Sequence, residues 1–238
     1  MPTIQIGSME LVLNRKSIKN IHISVLPPDG RIRVSAPTHM TDTAIRMAVL
    51  SRIPWIKKHQ KDFAAQPRQS KRQMVSGECH YLWGRRYRLN VIEKNGRHEL
   101  QLAGHNRLNL FVNPGTTAEN KMLVLNKFYR SILKERTKKL VREWQPRIGV
   151  EPTFLGVKKM KTKWGSCNTQ SKRIWINLEL AKKPPECLEY ILVHELVHLL
   201  ERNHNERFKT HMDKFMPHWK NRRDLLNYMP LAFESWSY

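Results

Sequence analysis

The chain has 238 residues, 40% hydrophobic and 26% charged, a globular composition with room for one large domain or two small ones. It has no run of about 18 apolar residues, no basic segment leading into an apolar one at the N-terminus, and only three widely spaced cysteines, Cys79, Cys167 and Cys187. A membrane span and a secretory signal are therefore not expected, nor is a disulfide framework or a closed cysteine-type zinc site, and the expected setting is cytoplasmic. The formal net charge is +23, with 28 basic and 10 acidic residues in 1–150 against 15 and 10 in 151–238. The N-terminal part is therefore expected to carry most of the positive field, and a polyanion such as DNA or RNA is an expected, non-specific partner there.

In chain order, residues 4–13 predict a strand. Residues 19–26 and 31–36 alternate apolar and polar side chains around Pro27-Pro28-Asp29-Gly30, which predicts a β-hairpin. Thr41-Asp42-Thr43 predicts a helix start through side-chain capping, with a break or kink at Pro54. Residues 66–73 are polar and basic and read as a linker. The pattern from 75 to 112 is β again, with Asn95-Gly96 predicting a hairpin between 85–93 and 98–103. Residues 117–147 predict one long helix or two. Further on, 153–161 and 173–178 predict strands, Trp164–Asn168 a turn, and Pro184-Pro185-Glu186 the start of a helix running to about Asn203. Helices over 205–215 and 218–228 follow. No internal repeat is visible in the sequence. The expected fold is α+β, with a β-rich basic N-terminal region over 1–115 and a helical connection and catalytic core over 116–238.

The helix from Pro184 carries His194-Glu195-Leu196-Val197-His198. Residues four apart on a helix differ by about 40° in direction, so the two imidazoles share a face one turn apart. Histidines so placed can bind one Zn²⁺ per chain, with Glu195 beside the metal as the base that activates water. Leu188, Ile191, Leu192, Leu196 and Leu199 mark the helix as largely buried, and buried polar groups need partners, which a metal supplies. An open catalytic site needs a third protein ligand. His204 fits if the helix ends and the chain turns back, for which Asn203 offers an αL exit; Glu206, on the following helix, is the rival. His211 and His218 read as surface or packing histidines.

With their flanks, these residues resemble the YgjP-like family of zinc metallopeptidases, related to the SprT-like proteases. The similarity runs through Lys163-Trp164-Gly165-Ser166-Cys167, Asn177, Pro184-Pro185-Glu186, Tyr190, the His194–Leu199 segment, Asn203-His204 and Phe208. It extends more weakly to the Pro-Asp-Gly turn, Pro54-Trp55-Ile56 and Tyr81–Arg85. Lys163 and Lys209 depart from the arginine and tryptophan usual in the family. The resemblance implies a zincin-like C-terminal core, His194, His198 and His204 as zinc ligands, and Glu195 as the catalytic residue. It also implies that 173–178 is an edge strand lining the cleft, along which a peptide or protein substrate pairs. Trp175, Asn177, Lys163 and Tyr190 are the candidate substrate-binding residues. A metalloprotease is the leading expectation. A zinc-dependent nucleotide pyrophosphatase, and a nucleic-acid-associated protein with a non-catalytic zinc site, are the alternatives.

Overall fold

A computed structural model describes residues 3–26, 29–65 and 72–228. The fold is mixed α+β, and the chain divides between Arg68 and Gln69 into two compact units. Most of the stretch read as a linker, and Pro27-Pro28 of the first hairpin, lie outside the described residues.

The first unit holds β1 (Thr3–Ile6), β2 (Met9–Lys16), β3 (His22–Leu26), β4 (Arg31–Pro37), α1 (Asp42–Leu50) and α2 (Ile53–Ala65). The single strand expected over 4–13 is two, because Gly7, at φ 59°, turns the chain back on itself. The sheet order is β1-β2-β4-β3, with β2 and β4 parallel and the other pairs antiparallel. Alternation puts Leu11, Leu13, Ile32, Val34 and Ala36 on one face, where they pack with Ile45, Val49 and Ile56 of the helices. The Thr41 hydroxyl accepts the Ala44 N–H and starts α1, as its position in the sequence predicts.

The second unit begins with β5 (Cys79–Leu82), β6 (Arg85–Glu93), β7 (Glu99–Ala103) and β8 (Arg107–Val112). Asn95-Gly96 does not close a hairpin. β6 and β7 are separated by β8, which runs parallel to β6 and antiparallel to β7. The order β5-β6-β8-β7 repeats the strand order and directions of the first unit, a repeat that residue identities do not reveal. The helix that follows is capped by Thr117, ten residues after the start of β8, as Thr41 stands ten residues after the start of β4.

That helix, α3 (Ala118–Ile148), is continuous. It leads to β9 (Phe154–Lys158), β10 (Gly165–Asn168) and β11 (Arg173–Asn177), a short 3₁₀ turn, and α4 (Pro185–Val197), α5 (Glu206–Phe215) and α6 (Trp219–Tyr228). The expected boundary at 115/116 does not coincide with the division at 68/69. Leu89, Leu108, Leu110 and Val112 of the β5–β8 sheet share one core with Leu125, Tyr129 and Leu133 of α3 and Leu188, Leu192 and Leu196 of α4. The Tyr129 hydroxyl donates to the Tyr81 carbonyl at 2.7 Å. The β5–β6 turn is fastened to the approach to α4, with the Trp83 and Gly84 N–H groups donating to Ala181 and Lys182 carbonyls. Gly84 has φ 78°, and a β-carbon there would stand 2.9 Å from Pro184 Cγ, so a side chain at this turn would displace the start of α4.

The positive excess does not distinguish the two units. Residues 1–68 carry 11 basic and 4 acidic residues, and residues 69–234 carry 32 and 16, close to the same excess per residue. Arg15, one of the basic residues expected to face a polyanion, is bound to the Pro37, Thr38 and Met40 carbonyls and to Asp42.

Candidate active site

Helix α4 is apolar on nearly all sides, with Leu188, Leu192, Val193, Leu196 and Val197 fully buried. It stops at Val197, earlier than the sequence pattern predicts, and His198 is its C-terminal cap at φ −60°. A continuing helix would point residue 204 about 240° away from residue 198. The chain instead tightens through Leu199 and Leu200 N–H bonds to the Leu196 and Val197 carbonyls. The Glu201 carboxylate accepts the Asn203 N–H, and the Asn205 side chain accepts the Phe208 N–H to start α5. Asn203 is not left-handed: the positive-φ non-glycine residues are Met74, Trp83 and Lys172. The reversal is made by i→i+3 bonds and side-chain acceptors, not by the αL exit the sequence suggests.

The reversal brings the three histidines together. One ligand nitrogen from each of His194, His198 and His204 lies within 4.8 Å of the others. The His194 and His204 Nε2 atoms are 2.9 Å apart. Two ring nitrogens facing each other this closely need a proton or a cation between them. His198 Nδ1 lies 3.1 Å from the Glu201 carbonyl, so Nδ1–H donates there and Nε2 is left as the lone-pair atom. Burial, then the two other imidazoles, push the His194 pKa down to about 3, and burial lowers that of His198, so both rings are held in the neutral form that binds metals. Phe208 packs against all three rings, at centroid distances of 4.7 to 4.9 Å. A converging three-imidazole set fits zinc. Glu206, the rival ligand, is paired with Lys209 and stands outside the group.

The histidines open onto a cleft of about 720 Å³, walled by α4 on one side and Lys163–Gln170 on the other. Glu195 is 5% exposed, and burial raises its pKa to about 8 against the opposing pull of Lys163. Gly165 abuts it so closely that a β-carbon would stand 2.7 Å from Glu195 Cγ and collide with its carboxylate. Here the need for glycine is steric. Burial and Glu195 together push the Cys167 thiol up to about 11, so it stays protonated beside the cleft.

Of the candidate substrate residues, Lys163 and Tyr190 line the cleft. Tyr190 stacks on Trp219, sits edge-on to His194, and has its pKa pushed up to about 12 by burial. Trp175 and Asn177 do not line it. Trp175 packs on Phe154, with Lys158 over its ring. Asn177 is buried, its amide donating to the Met160 and Lys163 carbonyls and accepting from the Met160 and Glu179 N–H groups. It holds the loop that delivers Lys163 and Trp164.

The edge strand is also different. β11 is the middle strand of the order β10-β11-β9, and the strand along the cleft is β10, the stretch read as a turn. The sequence reading counted Gly165 and Phe208 in the family resemblance without giving them a role at the site, and it did not include Arg202. The Gly-Ser-Cys run after Trp164 is short and polar, and only its pairing to β11 makes it a strand.

A model of the family described as "YgjP-like, metallopeptidase domain" matches residues 19–229. No curated protein matches the chain. Among solved structures, the chain is similar to the metallopeptidase zymogen of Pyrococcus abyssi abylysin, at 18% identity and TM-score 0.36 over 41% of this chain and 99% of that one. It is also similar to the metallopeptidase zymogen of Methanocaldococcus jannaschii jannalysin, at 23% identity and TM-score 0.35 over 38% and 87%. At these TM-scores neither likeness carries an argument about fold or activity.

Proposed function

The chain belongs to the YgjP-like metallopeptidase family, and from that premise we propose that it is a zinc-dependent peptidase in which His194, His198 and His204 hold one ion in a zincin-like core and Glu195 is the general base. The observation that carries this reading is the meeting of three imidazoles at a cleft that a buried glutamate also lines. Three protein ligands support a catalytic site, since structural zinc sites take four. When bound, a zinc ion would supply Lewis acidity for the carbonyl and for water.

The rest of the work falls to the chain. A carboxylate oxygen of Glu195, fixed against Gly165, takes a proton from the attacking water and returns it to the leaving amine as the peptide C–N bond breaks. Burial raises the proton affinity of this group, and a zinc ion held beside it would favour the ionised form that accepts the proton. β10 is a free edge along the cleft, so an extended substrate can add to it as a further strand. Lys163 and Tyr190 flank the reacting carbonyl.

Glu195→Gln tests the reading. The amide cannot accept the proton, so zinc content should be unchanged while turnover of a peptide library falls by about 10²- to 10⁴-fold. Full turnover in that variant removes Glu195 from the mechanism. A nucleotide pyrophosphatase is the second reading, favoured by the cations in the cleft, Lys163 and Arg202.

A further inference from the structure

The charged side chains lining the cleft, apart from the three histidines, are Lys163, Arg202 and Glu195. Glu195 is committed to the chemistry, so the charge offered to a ligand is positive. Several cations of the second unit are paired with acids, among them Lys182 with Glu179 and Arg222 with Glu189. Among the described residues no such pair involves Arg202, and Lys163 exerts its pull on the Glu195 carboxylate. Glu201, next to Arg202, spends its carboxylate on the Asn203 N–H. Lys163 stands two residues before Gly165, which abuts Glu195, and the Arg202 backbone hydrogen-bonds the His198 ring, so both are tied to residues of the centre. The facing wall carries Ser166, Asn168, Thr169 and Gln170 beside Trp164 and Cys167.

Resting on the peptidase reading, we infer that this cleft selects peptides bearing Asp or Glu near the scissile bond, with Lys163 and Arg202 as the residues that read them. A nucleotide would use the same cations. The free edge of β10 favours the peptide, because strand pairing needs a ligand with a backbone of alternating N–H and C=O groups. Both cations reach solvent, so each acidic contact is screened and modest in strength, and the selectivity should weaken with salt.

The test uses the full-length, zinc-loaded Glu195→Gln protein as a binding form. Matched fluorescent peptides carry Asp or Glu, their amides, or Lys at positions flanking a common centre, and binding is measured at low and physiological salt. The acidic peptide should bind about tenfold more tightly than its amide counterpart, equivalent to about 1.4 kcal/mol. Adding Arg202→Glu or Lys163→Gln should each weaken the preference, and the two together should abolish it, with zinc content and melting temperature unchanged. Equal binding of acidic and amide peptides overturns the inference, as does a preference that survives both substitutions. Cleavage of the library by wild type with no enrichment of acidic sites overturns the inference but leaves the peptidase reading standing. Absence of any peptide binding or cleavage, with a nucleoside triphosphate bound through Lys163 and Arg202, overturns both.

Discussion

Gly165 shows how a functional requirement can be invisible along a sequence. The histidines and Glu195 were legible because helical spacing ties residues four apart to one face. Gly165 is thirty positions before Glu195, and its role arises only where β10 passes α4. A methyl group there meets the Glu195 carboxylate, so on the proposed mechanism Gly165→Ala should lower turnover by about 10²-fold or more while zinc binding is retained, because a misplaced base loses its advantage in orientation. Paired measurements of zinc content and peptide turnover check this; unchanged turnover would show that Glu195 tolerates displacement. Trp175 and Asn177 failed in the opposite way. Both residue types suit a substrate site, but they lie on the middle strand of the small sheet, and Asn177 has its amide fully engaged by backbone.

At the scale of elements, the site depends on where α4 stops and how α5 begins. The apolar pattern of 188–199 announces a buried helix but not its end, since the reversal after His198 uses carbonyls and the Glu201 carboxylate instead of a glycine or proline. Phe208, in the first turn of α5, is the surface on which all three imidazoles rest. Phe208→Ala should destabilise the fold by about 3–5 kcal/mol, the usual range for emptying a buried aromatic site. It should also weaken zinc affinity, measured by competition with a chelator, because the rings lose the packing that orients them. Retention of wild-type affinity would mean that the helix ends alone hold the histidines. The misread hairpin at Asn95-Gly96 belongs to this scale too. A turn dipeptide reports a local reversal of the chain, whereas the insertion of β8 between β6 and β7 is decided by long-range pairing.

At the scale of the molecule, two separate cores follow from the division at 68/69. A chain beginning at Gln69 should fold, bind one zinc and keep its peptide turnover, because every residue of the candidate site and of the core beneath it lies beyond that point. Circular dichroism melting and metal analysis check it; a truncated chain that is unfolded or empty of zinc would show that residues 1–68 complete the core. Composition made a basic α+β protein legible, but not the position of the division, since β strands of 75–112 look alike whether they pack on α2 or on α3.

The strand order shared by β1–β4 and β5–β8 has a consequence for descent. If one ancestral segment was copied, its two descendants are under unequal constraint. The second is fastened at Trp83 and Gly84 to the residues that launch α4, where an inserted or lost residue would shift the histidine-bearing helix. The first holds a core of its own, in which changes leave that helix untouched. Among relatives, residues 3–65 should therefore have drifted faster and tolerated more changes of length than residues 79–112, although both are drawn from the same plan.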